Sequence, residues 1–368
     1  MDCPFARYHT NLLANLCVLL LPNSGSGYPA VPTQKFLSQH YPTPADAKTK
    51  VSIIVNTYNG AHYLSQCIHS ILALRGPFDL EIIVIDDAST DTTPDLVASF
   101  DDQRIHFLRP VQNGGAAAAI NLAFERVSGE FVARIDYDDC YHPDFLLRAV
   151  ATLKENPDAG LVCGAVSMID ASGQVCGHSS PTQFGIVPGT ADRFVELLRR
   201  NFITAPTILA RSDVWRKAIP IPTGLNFADW YMSLKMAESS KIHVLDEVLA
   251  EYRVHPAGMH STMVLDGSGE RMSERILNYF LLSPISRGDA APFARQIRGE
   301  HCAEWGDRYF GCHMNVEAQR CYWAALRSAP GTVLLNKGRL RRTLGLAIGR
   351  KRYEALKRRL SRTGGAVQ

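Results

Sequence analysis

The sequence lacks any apolar run near the roughly 18–20 residues that a membrane-spanning helix requires. Its most apolar stretch, Leu12–Leu21, is about as long as a signal-peptide core, but only Arg7 precedes it as a positive residue and no A-x-A-like site follows closely. Residues 1–50 therefore read as a poorly ordered leader and a Pro-, Ser-, Gly- and Thr-rich linker, in preference to a secretory or anchoring segment. An excess of one charge is missing too: a formal net charge of +3 gives no footprint for nucleic acid. The nine cysteines contain no C-x-x-C pair and no zinc-ligand spacing, which leaves reduced thiols of the kind a cytosolic protein carries. G-x-G-x-x-G and G-x-x-x-x-G-K-[ST] are both absent, so neither a dinucleotide fingerprint nor a P-loop holds phosphate here.

What is present is an alternation. Val51–Val55, Leu80–Ile85, Ile105–Leu108 and Phe131–Ile135 are apolar and rich in β-branched residues, as strands covered on both faces should be. Between the first two, Leu64, Cys67, Ile68, Ile71 and Leu72 recur at helical spacing, and Asn113-Gly-Gly115 opens a helix of small residues reaching about Val127. Such alternation predicts an α/β fold with a mostly parallel sheet, helices on both faces and a ligand site at the carboxyl ends of the strands. Further along, the pattern predicts a helix over Pro143–Asn156, a strand over Ala159–Val166, and a loop over Ser172–Gly189. A helix over Asp229–Ala237 and a strand over Val248–Val254 follow. From about Ser273 the β-branched runs stop, which places an α/β domain at 51–265 and a helical region at 266–368. Within the latter, Trp305–Pro330 resembles one helix-turn-helix unit of a tetratricopeptide repeat. The end is a basic amphipathic tail, Lys337 to Arg362, in which Glu354 is the one acid.

The chain is organised around Phe131-Val-Ala-Arg-Ile-Asp136-Tyr-Asp138-Asp139, where a buried strand breaks into three carboxylates. Anions this close repel one another, and a hard divalent cation such as Mg2+ or Mn2+, shared with phosphate, is the natural counter-charge. The competing reading is a solvated acidic turn that caps the next helix.

Val51-Ser-Ile-Ile-Val-Asn-Thr-Tyr-Asn-Gly60, Glu81-Ile-Ile-Val-Ile-Asp-Asp-Ala-Ser-Thr-Asp91, Asn113-Gly-Gly115, Ser128-Gly-Glu-Phe-Val-Ala-Arg-Ile-Asp-Tyr-Asp-Asp139, and Ala228-Asp229-Trp230 followed by Tyr252-Arg-Val-His255 together resemble the family-2 glycosyltransferases of GT-A fold. The resemblance covers about Val51 to His260. It implies an inverting, metal-dependent, non-processive enzyme that transfers a sugar from a nucleotide-diphosphate donor, a UDP-sugar before others, to a hydroxyl of a glycan or lipid-linked acceptor. It implies a nucleotide site at Thr57, Tyr58, Asn59, Asp87, Asn113 and Gly114, with Tyr58 stacking near the base and Asp87 accepting from the base ring. Asp136-Tyr-Asp138 matches the D-x-D signature. Asp136 is expected at the ribose or the metal, Asp138 on the metal, His255 on the metal or the diphosphate, and Arg134 and Arg253 as neutralisers of phosphate. Asp139 is expected one layer behind, and Asp86 to stay structural.

Asp229 matches the catalytic base of the family's E-D motif. Ala228 replaces the usual Glu, and Ile120 stands where relatives often carry Arg. The missing Glu keeps open a catalytically degenerate domain that binds nucleotide sugar or glycan without turnover. Cys140 breaks the D-x-D-x-[TV] motif of haloacid-dehalogenase-like phosphatases, no Gly-Arg loop of a nucleotidyltransferase follows the first strand, and the Q-x-x-R-W motif of processive synthases is absent. The expected location is cytoplasmic, peripheral on the inner membrane face through the basic tail and its attraction to anionic lipid.

Overall fold

The computed structural model describes residues 48–225, 227–255, 259–282 and 288–349. Nearly all of the expected leader, and the tail from 350 onward, lie outside the described residues. The chain divides into two units. One runs through Leu197 and takes in Asn201–His255; the other takes in Leu198–Arg200 and the chain from Pro256 onward.

The first unit is built on a ten-stranded sheet in the order β3-β2-β1-β4-β9-β6-β10-β5. These are β1 (Thr49–Thr57), β2 (Phe78–Asp86), β3 (Ile105–Leu108), β4 (Phe131–Asp136), β5 (Cys140–Tyr141), β6 (Ala159–Ile169), β9 (Leu209–Arg211) and β10 (Lys241–Arg253). β7 (Val175–Ser179) pairs with β6, and β8 (Gly189–Ala191) pairs with β10. The first half is wholly parallel, β1 lying between β2 and β4. Val51, Ile53, Ile54 and Val55 are fully buried, as a strand with helices on both faces requires. Each such side chain contributes about 1.5–3 kcal/mol by leaving water. The helix Leu64–Leu72 closes one face with Leu64, Cys67, Ile68 and Ile71, four of the five residues its spacing singled out.

The second half of the sheet is mixed. β9 runs antiparallel to both β4 and β6, and β5 antiparallel to β10. The expected loop over Ser172–Gly189 instead contains β7 and a short 3-10 turn, Pro181–Phe184. Its Gly, Ser and Pro content hid a strand that is partly exposed and paired on β6.

Chain direction places the site. After β1 the chain steps to β2 and β3, then returns to the other side of β1 as β4, so the crevice between β1 and β4 is the switch point where such sheets bind ligands. The register sets Asn56 opposite Asp136 and Thr57 opposite Asp86 along that edge.

The second unit is helical from Met259, ahead of the boundary expected from composition. Ala294–Gly311 and Asn315–Ser328 form the helix-turn-helix anticipated around Trp305–Pro330, and Gly306 lets the first approach Tyr322 of the second: an added Cβ would lie 2.7 Å from that ring. In the helix Lys337–Ile348, Arg339 and Arg342 both bind Asp307, at 2.7 and 2.6 Å, whereas Lys337 and Arg341 are exposed. Part of the expected basic face is thus an internal ion-pair network. Among the described residues no helix is long and apolar enough to cross a membrane.

Candidate active site

At the switch point three side chains close a triangle. Arg134 donates from Nε to Asn56 Oδ1 at 2.8 Å and from Nη2 to Asp136 Oδ1 at 2.5 Å, while Asn56 Nδ2 donates to the same oxygen at 2.6 Å. Arg134 is buried, whereas the Asp136 side chain is 32% exposed. Burial raises the Asp136 pKa, Arg134 and Asn56 oppose it, and the carboxylates of Asp138 and Asp229 add to the rise. Arg134 is thus tied to Asp136 both directly and through Asn56.

One turn further, His255 Nε2 meets Asp138 Oδ2 at 3.0 Å. Asp136 does not join them: among the described residues no three His, Cys, Asp or Glu side chains form a metal cage. One carboxylate oxygen and one imidazole nitrogen leave most of a coordination shell to phosphate oxygens and water, which is how hard cations are commonly shared with substrate phosphates. That donor set fits a divalent cation.

Asp139 turns inward. It is 1% exposed, Oδ1 accepts the Arg253 backbone N–H at 2.9 Å, and Oδ2 has no partner among the described residues. Burial, followed by the Asp138 and Asp136 charges, pushes its pKa well above the usual range. Arg253 is held within the protein. Its Nε donates to Asp138 O at 2.8 Å, Nη1 to Asp170 O at 2.9 Å and Nη2 to Gln66 Oε1 at 2.7 Å, and the residue is buried. Each side-chain nitrogen makes at least one bond to the protein, so this guanidinium clamps the acidic turn.

In the loop after β1, Tyr58 is 45% exposed, an available stacking face. Asn59 holds the loop: at φ +50°, its Oδ1 accepts the Thr90 N–H at 2.8 Å and its own N–H goes to Ser89 Oγ at 2.8 Å. Thr57 is buried, and its Oγ1 has no hydrogen-bond partner among the described residues. Asp87 accepts Gly114 N–H and Gly115 N–H on its two oxygens, and Asn113 Nδ2 donates to Asp87 O at 2.9 Å. Asp87, Asn113 and Gly114 therefore come together, with Asp87 anchoring the glycine loop. Asp86 is fully buried beneath, bound to Ser89 and 3.5 Å from Arg109 Nε, in the structural role expected of it. Ile120 is fully buried and supplies no charge.

Asp229 lies in the first turn of the helix Ala228–Ala237, which Trp230 anchors by donating from Nε1 to Leu197 O at 2.9 Å. Its charge is felt at Asp136 and at Tyr252, so the helix brings it to the same edge as the acidic turn. No hydrogen bond occupies its carboxylate among the described residues. Ala228 is buried. Sequence reasoning missed Asn56, Tyr63 and Gln66. Asn56 carried a signal, sitting in the first block directly before Thr57.

The sequence model of the family described as Glycosyl transferase family 2 matches residues 52–217. Over 263 residues the chain is 30% identical to an uncharacterized glycosyltransferase of Nostoc sp., an alignment that spans 68% of this chain and 80% of the relative. The chain is a family-2 glycosyltransferase. This glycosyltransferase is also 31% identical over 211 residues to the putative teichuronic acid biosynthesis glycosyltransferase TuaG of Bacillus subtilis, covering 56% of this chain and 80% of TuaG. Its fold is GT-A. The mannosyltransferase PcManGT from Pyrobaculum calidifontis, solved with GDP-Man and Mn2+, superposes with a TM-score of 0.55 at 17% identity over 92% of this chain and 96% of that one. S. aureus TarS 1-349 in complex with UDP-GlcNAc superposes at 0.50, with 18% identity, over 78% and 93%.

Proposed function

We propose that this glycosyltransferase moves one sugar from a UDP-sugar to a hydroxyl of a glycan or lipid-linked acceptor, with inversion at the anomeric carbon. The observation that carries the reading is the Asp138–His255 contact, set on the strand edge that also bears Tyr58 and Asp87 and within electrostatic reach of Asp229. Asp138 and His255 would hold a divalent cation, which when bound would supply positive charge for the departing diphosphate. Tyr58 stacks on the base, Asp87 and the Asn113-Gly114 loop border it, and Asp136, steered by Arg134 and Asn56, receives the ribose. Asp229 removes the proton from the acceptor hydroxyl as that oxygen attacks from the face opposite the leaving group. The UDP-GlcNAc complex of TarS and the GDP-Man and Mn2+ complex of PcManGT support a nucleotide-sugar donor and a cation, and the name given to TuaG supports a glycan acceptor.

The test is binding across UDP-, GDP- and dTDP-sugars, with and without Mn2+, by wild type and Asp138→Ala. Metal-dependent binding of one donor, lost in the variant, is the expected result; wild type that binds no donor would sink the reading. Exposed Lys337 and Arg341, continued in sequence by the basic residues from Arg350, suit a cytoplasmic membrane face rich in anionic lipid. Removal of residues 351–368 should then abolish sedimentation with anionic liposomes, and unchanged sedimentation would refute that assignment.

A further inference from the structure

We infer that Tyr63 is a positioning residue for the cation site, acting through the face of its ring on His255. The inference rests on the proposed role of Asp138 and His255 and goes one layer behind it. Histidines that ligate metals almost always fix their ring by donating the second N–H to a carboxylate or a carbonyl. His255 uses Nε2 toward Asp138, and among the described residues no hydrogen bond reaches its other nitrogen. What holds the imidazole instead is packing. The Tyr63 ring lies 5.4 Å from it between centroids, tilted by 50°.

Tyr63 is itself held. Its backbone N–H donates to Gly60 O at 3.1 Å at the entry to the helix Leu64–Leu72, and the Arg253 guanidinium carbon lies 4.5 Å from its ring centroid. That guanidinium cannot swing away, because its three nitrogens are spent on Asp138 O, Asp170 O and Gln66 Oε1. One buried cation thus fixes the backbone of the acidic turn and, through an aromatic ring, the histidine facing it. The Tyr63 hydroxyl makes no hydrogen bond among the described residues, so the face of the ring carries the effect and Phe should replace Tyr. Tyr63 is only partly buried, which makes substitution compatible with folding.

The experiment is Mn2+ binding by the full chain with UDP added, followed by the paramagnetic resonance signal of free Mn2+. Wild type, Tyr63→Phe, Tyr63→Leu and His255→Ala are compared, with melting temperatures measured alongside. Tyr63→Leu and His255→Ala should weaken Mn2+ by about tenfold or more, and Tyr63→Phe should stay within about twofold of wild type. Wild-type affinity in Tyr63→Leu beside a loss in His255→Ala overturns the role of Tyr63 and leaves the proposed function standing. Equal losses in Tyr63→Phe and Tyr63→Leu overturn the action of the ring face. Binding that His255→Ala does not alter, or no binding by wild type, overturns both. Should Tyr63→Leu fail to fold, Tyr63→Met, apolar and of similar reach but without a π face, is judged by the same criteria.

Discussion

Asp87 Oδ2 accepts the backbone N–H of Gly115 at 2.7 Å, and its Oδ1 accepts that of Gly114 at 2.9 Å. One side chain at the end of β2 therefore fixes the loop that opens the helix Ala116–Phe124. Hydrogen bonds to a charged group contribute about 1.5–3 kcal/mol where water is kept out. Gly114 is exposed, so Asp87→Ala should lower the melting temperature little and donor affinity about tenfold or more, read by titration with a UDP-sugar. Unchanged affinity would show that this loop does not border the donor.

Asp229→Asn should slow transfer by about a hundredfold to ten-thousandfold, the usual contribution of a positioned base, and leave donor binding unaltered. Single-turnover transfer and equilibrium binding on the same preparation separate the two. A parallel loss of both would move Asp229 from the base to the donor pocket.

Gly60 tests the packing of the nucleotide loop. A Cβ there would lie 2.2 Å from Thr57 Oγ1 and 2.7 Å from the Tyr137 ring, distances that force the loop to shift. Gly60→Ala should cost about 1–3 kcal/mol in denaturant unfolding and raise the donor KM, because Tyr58 rides on the same loop. Wild-type stability would mean that Thr57 simply rotates aside.

Four histidines weaken the fold in acid, against the opposite pull of Asp139, whose raised carboxyl pKa favours the folded chain as the pH falls. His142, His178, His243 and His301 all lie below the ordinary imidazole value, with burial the largest cause in each. The unfolded chain takes up these protons near pH 6.5 or about there, while the folded chain resists. The histidines' contribution to stability is complete well above about pH 6.5 and is lost as the pH drops toward the folded values. The melting temperature should decline by roughly a few degrees between about pH 7.5 and 5.5. His301 meets Leu198 O at 2.7 Å; His301→Gln can still donate there without titrating, and should flatten part of the decline.

The parallel half of the sheet could be read from the sequence because its strands are unbroken runs such as Val51–Val55, and only burial on both faces permits such runs. β7, β8 and β9 escaped for the opposite reason: three to five residues long, they pair antiparallel and owe their existence to β4, β6 and β10. Asp138 and His255 were legible as chemistry, a carboxylate and an imidazole in recognisable blocks. The contacts of Arg253 were not legible, since composition shows a cation beside acids without showing that Gln66 and Asp170 bind it. Tyr63 carried no signal, because an aromatic before a helix is ordinarily just a packing residue.

β10 has a consequence for how the molecule is made. A nascent chain that has emerged only as far as residue 240 already holds every strand of the parallel half, β1 to β4. Asp138 and Asp139 then lack two of their partners, since both the amide that caps Asp139 and the imidazole that faces Asp138 arrive with Arg253 and His255. Donor-binding competence should therefore switch on abruptly during synthesis, as the last strand adds to β6, and not grow gradually with chain length.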